Sequence, residues 1–215
     1  MTSDGAPRLL RIGAVRRVTE AEGPGRRFAV WAQGCSIRCV GCFNPHLLGT
    51  RGGWDASPAD LAADALGAAR DLGVDGVTLL GGEPFEQAAA FAEFAALARG
   101  GGLTVMTFTG FEREFLEGPT APRGAADLLA ATDLLVDGPY LADQIDLTRP
   151  WVGSANQRFH FLTDRLKEFE PRLADLPDRL EVRIDATGRV TVNGWATTDQ
   201  LDRLLADLVR PPRGA

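Results

Sequence analysis

The sequence predicts an α/β protein built on a mostly parallel sheet, and three observations lead there. Apolar strand-like segments alternate with helix-like segments from residue 27 to about 137, joined by short connections. Such βα alternation implies parallel strands with right-handed crossovers. The most unusual stretches fall just after strands, where open parallel sheets place their sites. With 215 residues, 45% of them hydrophobic, the chain is long enough to bury one core without staples.

The elements follow in order. Residues 8–16 and 27–32 read as strands, separated by the turn-forming Glu22-Gly23-Pro24-Gly25. A cysteine-rich loop comes directly after the second. Ser57 is a capping residue, Pro58 fits the first helical position, Asp60 completes a capping box and Gly73 stops the helix. Gly76–Leu80 reads as a buried strand ending in Gly81-Gly82-Glu83-Pro84. A second helix is predicted from Glu86 to Arg99, with Phe91, Phe94, Ala95 and Ala98 on one face. Leu103–Phe108 is the next strand, followed by a short helix near 111–117, a helix near 124–131 and a strand at 133–136.

The last third differs in character. Residues 158–163 predict one more strand and 164–174 a polar helix. Residues 180–185 and 189–193 alternate around Ala186-Thr187-Gly188, a hairpin pattern. An amphipathic helix is expected over Thr198–Val209. A boundary near residue 165 divides the chain into a core, 1–164, and a C-terminal extension, 165–215.

Charge and cysteine usage narrow the function. A net charge of −6 disfavours a nucleic-acid surface. The longest apolar runs, such as Phe28–Ala32, are too short to span a bilayer. The start of the sequence has no secretory core, so a cytoplasmic location is expected. There are only three cysteines, Cys35, Cys39 and Cys42, all within eight residues. A disulfide framework would distribute an even number along the chain, whereas clustered thiols are metal or cluster ligands. Two sets compete on spacing. Three thiolates can hold a 4Fe–4S cluster with one iron left open, and Cys35, Cys39, Cys42 and His46 together make a Cys3His zinc set, the basis of a zinc-stabilised binding module.

The spacing Cys35-x3-Cys39-x2-Cys42 resembles the hallmark of radical S-adenosylmethionine (SAM) enzymes. Within them the chain is most similar to the activating proteins of anaerobic ribonucleotide reductases and other glycyl-radical-enzyme activases. The likeness extends over residues 8–163 through Glu22-Gly-Pro-Gly-Arg26, Trp31-Ala-Gln-Gly-Cys35, Gly41-Cys42-Phe43-Asn44, the Gly81-Gly82-Glu83-Pro84 turn, Thr107-Phe-Thr-Gly-Phe111, Val136-Asp-Gly-Pro-Tyr140 and Gly153–Arg158. One departure is that the aromatic Phe43 follows the third cysteine instead of preceding it.

The resemblance implies a partial (β/α)6-type barrel and two cofactors, one 4Fe–4S cluster on Cys35, Cys39 and Cys42, and SAM on the open iron. It implies that Gly41, Cys42 and Phe43 lie on the adenine side. Gly81 and Gly82 would let the backbone approach the methionine part, with Glu83 beside them and Thr109 near the ribose. The implied reaction is reductive cleavage of SAM to a 5′-deoxyadenosyl radical. That radical would then take hydrogen from a glycine of a partner protein, with a low-potential electron donor such as flavodoxin or ferredoxin. Modification of a peptide or a small metabolite is the alternative substrate class.

Overall fold

The computed structural model describes residues 8–176, 179–184, 186–188, 190–194, 202, 203 and 206. Seven strands form one sheet in the order β3-β1-β2-β4-β5-β6-β7. They are β1 Leu10–Thr19, β2 Arg27–Ala32, β3 Trp54–Ala56, β4 Gly76–Gly81, β5 Thr104–Phe108, β6 Leu134–Asp137 and β7 Arg158–Phe161. The central four, β2, β4, β5 and β6, are parallel. Antiparallel strands flank them: β1 and then β3 on one side, β7 on the other. The fold is thus mixed α/β with a parallel centre, as the βα alternation required.

Each helix has a local cause. In α1, Pro58–Leu72, the Ser57 side chain accepts from Asp60 N at 3.1 Å, and Gly73 closes the helix at φ 65°. Such a cap contributes about 1 kcal/mol. A single 3₁₀ turn, Pro84–Gln87, precedes α2, Ala88–Gly100. The short α3, Arg113–Leu116, and α4, Ala125–Ala131, lie close to their expected positions. Phe28, Leu79, Phe85, Phe91, Phe94, Leu128 and Leu135 pack between this helical layer and the sheet. On the opposite sheet face, Ala29, Trp31, Leu47 and Leu80 form one apolar cluster and Met106, Leu134, Val136, Val152 and Leu166 another. Both faces of the central strands are therefore covered, which is why β2 is buried at every position.

Two elements depart from expectation. Strand β3 pairs with β1, although a three-residue strand with Trp54 half-exposed carries no periodicity to read. Asp164–Asp175 is a run of 3₁₀ turns in place of a polar helix, because Pro171 removes a donor and few apolar side chains anchor it. The hairpin forms as β8, Leu180–Ile184, and β9, Val190–Gly194. The helix expected over Thr198–Val209 lies, apart from Asp202, Arg203 and Ala206, outside the described residues.

The hairpin is tied to the β1–β2 connection. Glu181 accepts from Glu20 N at 2.7 Å, Arg183 donates to Val18 O at 2.7 Å, and Gly194 N donates to Glu22 at 3.0 Å. Arg179 and Glu20 form an ion pair beside them.

Candidate active site

Register brings the motifs together. In the parallel β2–β4 pair, Arg27 lies opposite Gly76 and Ala32 opposite Gly81. The Gly81-Gly82-Glu83 turn therefore emerges beside Gln33-Gly34-Cys35. Two backbone bonds lock the junction, from Gly82 N to Ala32 O at 2.9 Å and from Glu83 N to Gly34 O at 2.8 Å. Gly82 is required at this junction, because a Cβ there would sit 2.2 Å from Gly34 O. Its role is close approach of two chains. Gly81, at φ 102°, faces Trp31 in the same crowded way.

The cysteine loop is held mainly by its backbone and by amide side chains. Gly34 N and Cys35 N donate to Leu47 O and Leu48 O, folding the loop back on itself. Buried Gln33 donates to Gly49 O at 2.6 Å. Gln87 spans Arg11 and Gln33, and Glu86 accepts from Ser36 N at 2.6 Å. These three side chains escaped the sequence reading, and only the position of Gln33 beside the first cysteine pointed to one of them. Arg38 and Gly41 take left-handed conformations, φ 53° and 77°, which turn the chain between cysteines.

All three cysteines are half-buried and unbridged, and they line one cavity of about 670 Å³. Phe43, His46, Gly81, Gly82, Glu83, Thr109, Gly110 and Tyr140 share its wall. The predicted Gly41 does not line it; a Cβ there would face Tyr140 and Ala142. Burial pushes the Cys35 thiol above its ordinary range, against backbone N–H groups of Arg38 and Ile37. Burial does the same at Cys39, opposed by the Tyr140 N–H, with Cys42 adding to the rise. Backbone donors aimed at sulfur are what a thiolate-ligated cluster uses. Among the described residues, no three His, Cys, Asp or Glu side chains are arranged to hold a single metal ion. A cubane cluster, which takes one thiolate per iron, does not require such convergence. The donor set therefore fits an iron–sulfur cluster.

Glu83 joins two strand ends on this side of the sheet. It is 1% exposed and accepts from Phe85 N at 2.9 Å, Thr109 Oγ1 at 2.8 Å and Gly110 N at 2.9 Å. It thereby caps the turn before α2 and ties the end of β4 to the end of β5. Burial outweighs these donors and raises its carboxyl to about 7. Thr109 also accepts from Phe111 N, so its hydroxyl is engaged within the protein. Thr107 shares a hydrogen bond with Thr132, away from the cavity. Asn156 and Gln157 serve loop backbone: Asn156 donates to Pro139 O, while Gln157 accepts from Gly153 N and Ser154 N.

The sheet, with this loop at the end of its first parallel strand, defines an iron–sulfur domain of radical SAM type. More particularly, the chain belongs to the family of 4Fe–4S single cluster domains, whose profile matches residues 21–160. Among curated relatives, the pyruvate formate-lyase-activating enzyme of Listeria monocytogenes is 35% identical over 97 residues, 44% of this chain and 39% of that enzyme. This match therefore spans well under half of the Listeria enzyme's length. The pyruvate formate-lyase 1-activating enzyme of Escherichia coli strain K12 is 29% identical over 204 residues, 93% of this chain and 75% of that protein. The anaerobic ribonucleoside-triphosphate reductase-activating protein of Vibrio cholerae is 27% identical over 147 residues, 66% of this chain and 91% of its own. Of solved structures, QueE from Escherichia coli aligns with 47% of this chain at a TM-score of 0.39 and 18% identity, too slight a likeness to build on. Among the described residues, no helix is long and apolar enough to cross a membrane.

Proposed function

We propose that this protein is a radical SAM activase that generates a glycyl radical on a partner enzyme. The observation that carries the reading is the single cavity shared by Cys35, Cys39, Cys42, the Gly81-Gly82-Glu83 turn and Thr109. The names of the relatives from Listeria, Escherichia and Vibrio support the same chemistry.

Cys35, Cys39 and Cys42 would hold the cluster, leaving one iron for SAM. When bound, the two cofactors supply one-electron cleavage of the sulfonium C–S bond to methionine and a 5′-deoxyadenosyl radical, which takes hydrogen from glycine Cα. The protein's own residues provide position and exclusion. Ile37, Arg38 and Tyr140 direct N–H groups at the sulfurs. Glu83 fixes the turn, and Gly82 admits it against the loop, so the methionine end meets a preset backbone. Trp31, Leu80 and Phe108 give the cavity an apolar floor that limits water. Phe43, half-exposed at the wall, supplies a ring for the adenine.

Anaerobic reconstitution with iron and sulfide, then incubation with SAM and dithionite, tests this. The expected result is a brown protein that produces 5′-deoxyadenosine and methionine. A colourless, zinc-containing protein without SAM cleavage would overturn the reading and favour the Cys3His module.

A further inference from the structure

We propose that the free edge of β9, together with Arg16 and Asn193, seats an extended polypeptide segment across the mouth of the cavity. The inference rests on the functional reading above and specifies how a protein substrate would be held.

Four consecutive residues of β9, Thr191 to Gly194, line the cavity. Side chains of a strand alternate between faces, so an unbroken run on one wall means that the backbone edge is turned inward. Among the described residues, β9 is paired only with β8, and its other edge is unpaired. Gly194 N is already bonded to Glu22, which closes one end of that edge and leaves the rest available.

Two side chains on this wall carry orphan donors. Asn193 is 9% exposed and its Nδ2 has no acceptor; Arg16 Nε is likewise buried without one. Both residues line the cavity. A buried donor without a partner is costly, so this wall gains from a ligand that brings acceptors. The wall carries both the Arg16 guanidinium and the Glu22 carboxylate, so charge alone selects no ionic ligand. Neutral carbonyls spaced along an extended backbone satisfy the donors, and strand addition to an open edge is an established way to hold a peptide.

The test uses the full chain, reconstituted anaerobically with SAM, and the fluorescein-labelled peptide Ala-Val-Gly-Val-Ala, capped at its C-terminus as the amide. Two further versions carry N-methyl groups, one on both valines and the other on the glycine and the last alanine. Because a strand offers alternate amides to its neighbour, one pattern should weaken binding at least about tenfold and the other should bind like the parent. Arg16→Ala and Asn193→Ala should each weaken the parent peptide about threefold or more. Equal effects of the two methylation patterns would overturn the proposal, as would absence of peptide binding in a preparation that cleaves SAM. Peptide binding that shows the alternate pattern without SAM cleavage would overturn the functional reading and leave the edge seat standing.

Discussion

The two ends of the parallel sheet each bury a charge, and they handle it in opposite ways. At the carboxyl end, Glu83 sits under an open cavity, held by donors from two neighbouring strand ends. At the amino end, Arg27, the first residue of β2, is fully buried and, among the described residues, has no carboxylate within bonding reach. Its guanidinium donates to Thr78 Oγ1 at 3.0 Å, Thr104 Oγ1 at 2.6 Å and Val77 O at 2.5 Å. Burial drives both groups toward neutrality, Glu83 up to about 7 and Arg27 down to about 9. Arg27 plugs one end of the strand bundle, whereas Glu83 braces a rim that must stay open. One end thus serves stability and the other chemistry, the division of labour familiar from barrels of parallel strands.

The largest expected effect tests that division at the open end. Cys42→Ala should reduce SAM cleavage at least about 1,000-fold, about 4 kcal/mol, because the chain has no fourth cysteine to substitute. Iron content and visible absorption check it; a variant that keeps four irons and full activity would remove Cys42 from the ligand set. His46→Ala, in contrast, should leave iron content unchanged.

Gly82→Val comes next. The new Cβ meets Gly34 O at 2.2 Å, and the neighbour is backbone rather than a flexible tip. A loss of about 3–4 kcal/mol is expected, together with reduced cluster loading, since the same junction starts the cysteine loop. Thermal melting and iron content should fall together. A variant that melts normally but binds SAM weakly would restore the simpler picture in which Gly82 only makes room for cofactor.

Much of the open end was legible in the sequence because its chemistry is local. Cysteine spacing, the Gly-Gly-Glu turn and the α1 caps are each written within a few residues. What was not legible depends on pairings across the sheet. That Gly82 answers to Gly34, that Thr109 is consumed by Glu83, and that Gln33, Glu86 and Gln87 brace the loop all follow from the β2–β4 and β4–β5 registers. No single segment carries that information. Arg27 escaped the reading for the same reason, since its partners lie 50 and more residues away.

Arg27→Ala sharpens the contrast from the closed end. It should cost about 3 kcal/mol, combining a cavity with unsatisfied Val77 and Thr104 acceptors. The reconstituted fraction that folds should retain SAM cleavage per cluster. Normal stability with lost activity would break the comparison, because it would make the amino end part of the active site.

The smallest effect concerns Glu83 and appears as a slope. Its folded-state pKa of about 7 lies above the ordinary value of 4.5, so the native chain binds more protons than the unfolded chain between these values. Stability must then fall as pH rises through this window, with the full penalty reached above pH 7. The expected loss between pH 5 and pH 8 is about 2 kcal/mol from this group. Other carboxylates do not blur the window: Glu114 is held down to about 2 by Arg158, and Asp137 and Asp146 are also depressed, so their contributions are lost only at lower pH. Glu83→Gln isolates the effect. It offers one oxygen to Phe85 N and Thr109 but turns an amide N–H toward Gly110 N, which adds a destabilising offset that is constant with pH. Denaturant unfolding of metal-free wild type and variant at pH 5, 6, 7 and 8 separates offset from slope. Wild type should lose its advantage steadily toward pH 8; parallel curves would mean that Glu83 is ionised throughout and that its three donors outweigh burial.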